Sequence, residues 1–148
     1  MLTLTHRLRN TGTKPLDTAV YNHDFFMIDR QPIGVGTEVR LPFVPVMDHA
    51  LPASAVLEGK TVRVIAPMEP RPGIGAYVTG FSSSPSDFDF TFEDTTRGIG
   101  IQETSDSALV KMYLWGTPKT LCPEGYIGIH VAPGQSQSWT LHYRFFAQ

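Results

Sequence analysis

Phe88, Phe90 and Phe92 alternate with Asp87, Asp89, Thr91 and Glu93, and no other stretch limits the fold of this chain so tightly. In a strand successive side chains point to opposite faces. This order therefore gathers three rings on one face and turns the acids and Thr91 the other way, whereas a helix would scatter the rings around its circumference. Residues 87–94 are read as a strand buried on one side. The same period of two runs through Leu2, Leu4, His6 and Leu8, set against Thr3, Thr5, Arg7 and Arg9. Asn10-Thr11-Gly12 follows, a turn in which Asn and Gly tolerate positive φ. Eight further segments between turn signals read as strands: 18–23, 38–43, 61–66, 76–81, 98–103, 108–115, 126–131 and 138–146. Ten short strands at roughly 8–15-residue spacing point to an all-β sandwich or barrel.

The chain's 13 glycines and 12 prolines leave little room for long helices. Together they make about 17% of it, against a typical ~12%. One helical stretch is expected, over 50–58, ending at Gly59 despite Pro52. Pro67, Pro70 and Pro72 make 68–75 an irregular loop, and 82–86 is a polar loop around Pro85. No fixed-period repeat or interdomain linker is visible. At ~150 residues per domain, 148 residues make one domain, 1–148.

Composition excludes several function classes. With 41% apolar and 18% charged residues the chain is not a charge-swollen disordered one. A net charge of -2, with no basic stripe, gives no general attraction to nucleic acid or to an anionic membrane. Cys122 is the single cysteine, so no intrachain disulfide framework is possible. No apolar run reaches ~18 residues and the start lacks a signal-peptide core, so a cytoplasmic location is expected.

Candidate chemistry centres on two residues. His23 lies in Tyr21-Asn22-His23-Asp24-Phe25-Phe26, where a strand ends among rings and polar groups. Histidine is the side chain whose ordinary titration range lies near neutrality, which suits general acid work, and the equal alternative is a structural histidine clamped between rings. Glu124 lies in Leu121-Cys122-Pro123-Glu124-Gly125-Tyr126, between two apolar strands. An exposed loop carboxylate is the commoner case, and burial would instead raise its pKa toward that of a base working near neutrality. Asp87 and Asp89 could suit glycoside hydrolysis, but a solvated sheet face is the simpler reading. Gly34-Val35-Gly36 and Gly73-Ile74-Gly75 lack a phosphate-binding lysine, and Ser82–Ser84 lacks a nucleophile-elbow setting. The five histidines, His6, His23, His49, His130 and His142, form no metal motif with one another and none stands at zinc-ligand spacing from Cys122, so neither metal nor cofactor is expected, a site assembled from distant strands being the minor alternative.

Four segments together resemble a known family. Leu4-Thr5-His6-Arg7-Leu8-Arg9-Asn10-Thr11-Gly12-Thr13-Lys14-Pro15-Leu16, Asn22-His23-Asp24-Phe25-Phe26, Cys122-Pro123-Glu124 and Pro133-Gly134-Gln135-Ser136 are similar, in that order, to segments of the galactose mutarotase-like, aldose 1-epimerase superfamily. Residues 45–105 match only in general strand pattern. The resemblance implies an antiparallel β-sandwich, a β-supersandwich of packed antiparallel sheets, that binds a small-molecule sugar on a concave face and interconverts its anomers by acid–base ring opening. Carried over by position, His23 matches the family's general acid and Glu124 its general base. Asn22 belongs to the same motif and is a candidate substrate contact. Trp115 and Tyr126, on strands beside Glu124, could stack on a sugar face or sit in the core. The matched segments belong to the C-terminal half of the family's domain. The half that normally brings a substrate-contacting arginine and a second histidine has no counterpart here, and none of Arg7, Arg9, Arg30, Arg40, Arg63, Arg71, Arg97 or Arg144 fits that arginine's motif. A shortened sandwich of this kind is expected to be an epimerase, a non-catalytic sugar binder, or a half-sandwich that pairs with a second copy as a homodimer. Room for a pyranose between His23 and Glu124 would favour the first.

Overall fold

The computed structural model describes residues 1–71 and 73–147; Pro72, assigned above to a loop, lies outside the described residues. Twelve strands form: β1 (Leu2–Arg9), β2 (Leu16–Val20), β3 (Thr37–Arg40), β4 (Val46–Met47), β5 (Ala55–Glu58), β6 (Thr61–Val64), β7 (Ile74–Thr79), β8 (Asp89–Asp94), β9 (Ile99–Ser105), β10 (Leu109–Thr117), β11 (Thr120–Val131) and β12 (Ser136–Ala147). They make two sheets, seven strands in the order β1-β12-β9-β8-β3-β6-β5 and five in the order β2-β11-β10-β7-β4. Every pairing is antiparallel.

The alternation at 87–94 does what its pattern requires. Phe88, Phe90 and Phe92 are each 1% exposed, and full burial of such a ring contributes about 1.5–3 kcal/mol. The strand itself begins at Asp89, because Pro85–Asp87 form a single 3-10 turn whose N-cap is Ser84. Glu93 departs from the expected solvated face: it is buried and pairs with Arg40. Glu38 stands opposite Glu93 in the register and is bound by Arg63 at 2.8 Å. The outer face of the seven-stranded sheet is thus a ladder of ion pairs.

The helix expected over 50–58 does not form. After a turn in which the Ala55 N–H donates to the Pro52 carbonyl at 2.9 Å, Ala55–Glu58 become β5 and pair with β6. Gly59 has φ +59. A positive-φ glycine serves a helix C-cap and the first central position of a two-residue hairpin equally well; the strand at 61–64 decides for the hairpin. The expected strand 18–23 stops at Val20. The Asn10 turn holds without positive φ, through its side chain: Oδ1 accepts from the Gly12 N–H, and Nδ2 donates to Lys14 and Val131 carbonyls. Asn10 also pairs through its backbone with Gly134 and Gln135, so the first and last of the resembling segments pack together. No helix among the described residues is long and apolar enough to cross a membrane.

Candidate functional site

β11 builds the site. It is one continuous strand through Cys122-Pro123-Glu124, so Glu124 is not a loop residue as the commoner reading had it. Pro123 is tolerated for a structural reason. The Leu121 N–H points to the edge that meets Phe26, and Pro123, two residues on, turns its missing N–H to that same edge. There the neighbouring strand β2 has already ended, and no ladder bond is lost.

The segment after β2 runs along this open edge and, past a positive-φ Phe25, rejoins β11 through a bridge between Phe26 and Leu121. It alternates like a strand. Tyr21, His23 and Phe25 face outward, where Tyr21 stacks on Tyr126 at 4.3 Å and His23 stacks on Phe25 at 3.9 Å. Asn22, Asp24 and Phe26 face the space between the sheets. The Asn22 amide donates to the Tyr143 hydroxyl at 3.4 Å, and that hydroxyl donates to Asp24 at 3.0 Å. Asn22, the candidate sugar contact, therefore stands on the opposite side of the segment from His23, as adjacent extended residues must.

Cross-strand register sets the rest of the outer face. Glu124 stands opposite Tyr113, Cys122 opposite Trp115 and Tyr126 opposite Lys111, while Tyr77 lies beyond Tyr113 on β7. His23 Nε2 lies 3.5 Å from Glu124 Oε1, and the Tyr126 hydroxyl donates to Glu124 Oε2 at 3.3 Å. The edge of Trp115 meets the His23 ring at 4.8 Å. Lys111 Nζ sits 4.6 Å from the ring centres of both Tyr77 and Tyr126, a cation held by two aromatic faces. His23 is thus clamped between rings, as the structural reading expected, and is also directed at a carboxylate. The two candidate catalytic groups share one face and touch, with no gap between them for a sugar ring.

Glu124 is 4% exposed. Burial raises its carboxyl above the usual range, while His23, the Tyr126 hydroxyl and Lys111 pull it back. Burial also raises the Tyr126 phenol, with Glu124 adding to the effect. Cys122 Sγ accepts the Asp24 N–H at 3.3 Å, and burial pushes this thiol up to about 12. His23, Cys122 and Glu124 bring three ligand-type atoms within 4.8 Å of one another, a grouping that sequence spacing cannot reveal because His23 and Cys122 come from separate elements. Tyr21, Phe25, Tyr77, Lys111 and Tyr113 are the face residues that sequence reasoning passed over. Lys111-x-Tyr113-x-Trp115 carried the signal in the period of two already used for Phe88–Phe92.

Two stacked antiparallel sheets make a β-sandwich, and its fold is that of galactose mutarotase-like structures. Solved structures agree. The chain is similar to a putative aldose 1-epimerase from Escherichia coli K12 (TM-score 0.70, 13% identity, 99% of this chain and 56% of that one). It is also similar to an aldose epimerase homologue from C. elegans (0.64, 14%, 98% and 55%) and to a galactose mutarotase-like protein from Clostridium acetobutylicum (0.64, 12%, 99% and 52%). At these identities the likeness is one of fold. The chain spans about half the length of each of these structures. No protein-family model matches the sequence, and no curated protein matches it.

Proposed function

We propose that the outer face of the five-stranded sheet binds an aldose and interconverts its anomers, with His23 as general acid and Glu124 as general base. The observation that carries this reading is the approach of His23 to a buried, base-strengthened Glu124 on an open aromatic face. Glu124 takes the proton of the C1 hydroxyl and His23 gives one to the ring oxygen. The bond from C1 to the ring oxygen breaks, an open-chain aldehyde turns about its C1–C2 bond, and reversed proton transfers close the ring in the other configuration. The hydroxyl and ring oxygens are bonded to the same carbon, so an acid and a base side by side reach both from one edge of the sugar. The expected room for a pyranose between the two groups is absent, so in this reading the sugar meets the pair from the open side of the face rather than lying between them. Trp115 and Tyr126 supply apolar faces for the ring.

The test is polarimetry on freshly dissolved α-glucose and α-galactose. The approach to equilibrium rotation should accelerate in proportion to chain concentration. H23A and E124Q should each lose about 10²-fold or more of that acceleration, the usual contribution of a placed acid or base. Buffer-like rates for the unaltered chain across a panel of aldoses would overturn the reading.

One observation favours a second reading, a binding or self-pairing half-sandwich without turnover: the chain spans about half of its structural neighbours. This reading predicts sugar-dependent chemical shifts with no change in rotation rate, or a dimer by light scattering at micromolar concentration.

A further inference from the structure

We propose that His23, Cys122 and Glu124 form a three-ligand site for a divalent ion of the zinc class, whose occupation ties up the same imidazole and carboxylate that the unoccupied face presents. The proposal concerns metal binding and stands whether or not the face turns over a sugar.

The donor set is the first argument. One imidazole nitrogen, one sulfur and one carboxylate oxygen lie within 4.8 Å of one another. Nitrogen, sulfur and oxygen donors, with a fourth position left open, make up the ligand chemistry of zinc. Atoms held about 2.0–2.3 Å from a tetrahedral ion lie about 3.3–3.7 Å apart, so the group must contract by about 1 Å. The His23–Glu124 edge, at 3.5 Å, already has that spacing.

The surroundings are the second argument. Cys122 and Glu124 are successive outward residues of β11, so the strand fixes two of the three donors. The Cys122 sulfur receives the backbone N–H of Asp24 at 3.3 Å. Such donors to sulfur stabilise a metal-bound thiolate and orient it. His23 is free of other commitments: Nε2 faces Glu124, and Nδ1 is buried with no hydrogen-bond partner. Its segment lies outside the named strands, and Phe25 beside it has φ +48, so the third donor comes from irregular backbone. Phe25 stacks on the imidazole and Trp115 closes its edge, which limits water at the site.

Coordination requires the thiolate, so each ion bound releases the Cys122 proton to buffer. A thiol and an imidazole also select against magnesium and calcium, which prefer oxygen donors alone.

The experiment titrates the reduced chain with Co²⁺, a coloured stand-in for Zn²⁺, and then competes it off with Zn²⁺. The expected result is one equivalent per chain, a thiolate-to-cobalt charge-transfer band, visible bands of a tetrahedral ion, and loss of all of them on adding Zn²⁺. C122S should lose the charge-transfer band and bind at least about tenfold more weakly, and E124Q should weaken binding similarly. The double variant H49A/H130A removes the imidazoles paired with Asp48 and Asp17 at the surface and should change nothing. Circular dichroism of C122S checks that it is folded, and C122A is the replacement if it is not. Absence of one-equivalent binding, binding without the thiolate band, or binding abolished in H49A/H130A would each overturn the proposal, and none of these readouts involves a sugar.

Discussion

Glu103 shows how much a single residue of this fold is made to do. It lies between the sheets, 2% exposed, with Oε1 3.3 Å from the Tyr143 hydroxyl oxygen, while its Oε2 has no partner. Burial, with the nearby Asp24 carboxylate adding to it, holds the Glu103 carboxyl well above its ordinary range, and burial raises Asp24 too. The sign of the consequence is fixed. Above the ordinary glutamate range the unfolded chain has given up this proton and the folded chain still binds it, so stability falls as pH rises until the folded group also ionises. Glu103→Gln removes that dependence. Urea unfolding measured from pH 5 upward should show the variant gaining on the unaltered chain by up to about 1.4 kcal/mol per pH unit within the window. A parallel pair of stability curves would contradict the assignment. The cluster also has a positional role, because Tyr143 and Asp24 hold the inward side of the segment whose outward side carries His23.

At the scale of elements, β11 and the segment at 21–26 carry the site, and they differ in how far the sequence disclosed them. Alternation was legible wherever one face is apolar and the other polar, as at Phe88–Phe92. It was hidden at 21–26, where rings lie on both faces: Tyr21 and Phe25 outward, Phe26 inward. The opposite orientations of Asn22 and His23 were therefore missed. It was hidden at Cys122-Pro123-Glu124 because proline reads as a strand breaker, and only the loss of β2 as a neighbour makes it harmless there. It was hidden at 55–58 because Gly59 signals two kinds of turn alike. β11 also packs without tolerance on its inner side. A Cβ built on Gly125 would lie 2.6 Å from Phe88 Cζ and 2.8 Å from Phe90 Cε2. Gly125→Ala should lower stability by about 1–3 kcal/mol, as overpacking does. It should appear as a lower urea midpoint at unchanged slope, and an unchanged midpoint would show that the rings yield freely.

Across the whole molecule the two outward faces are unlike. The seven-stranded sheet presents paired charges, Glu38 with Arg63 and Glu93 with Arg40. The five-stranded sheet presents Tyr77, Tyr113, Trp115 and Tyr126 around a buried acid and one lysine. Local patterning pointed to an all-β sandwich or barrel and the family resemblance to packed antiparallel sheets, but neither could say which outward face would gather the chemistry, since that depends on the register of strands far apart in sequence. The likeness to aldose 1-epimerase structures over about half their length leaves the claim about this face to be tested on the chain itself. Two-dimensional exchange NMR of an aldose with the chain tests it most directly, because one experiment reads both contact and turnover. The account predicts chemical-shift changes centred on His23, Trp115, Glu124 and Tyr126, with cross-peaks between the α and β anomeric protons that grow with chain concentration and vanish in E124Q. Shift changes confined to the seven-stranded face, or no exchange beyond that of buffer, would contradict it.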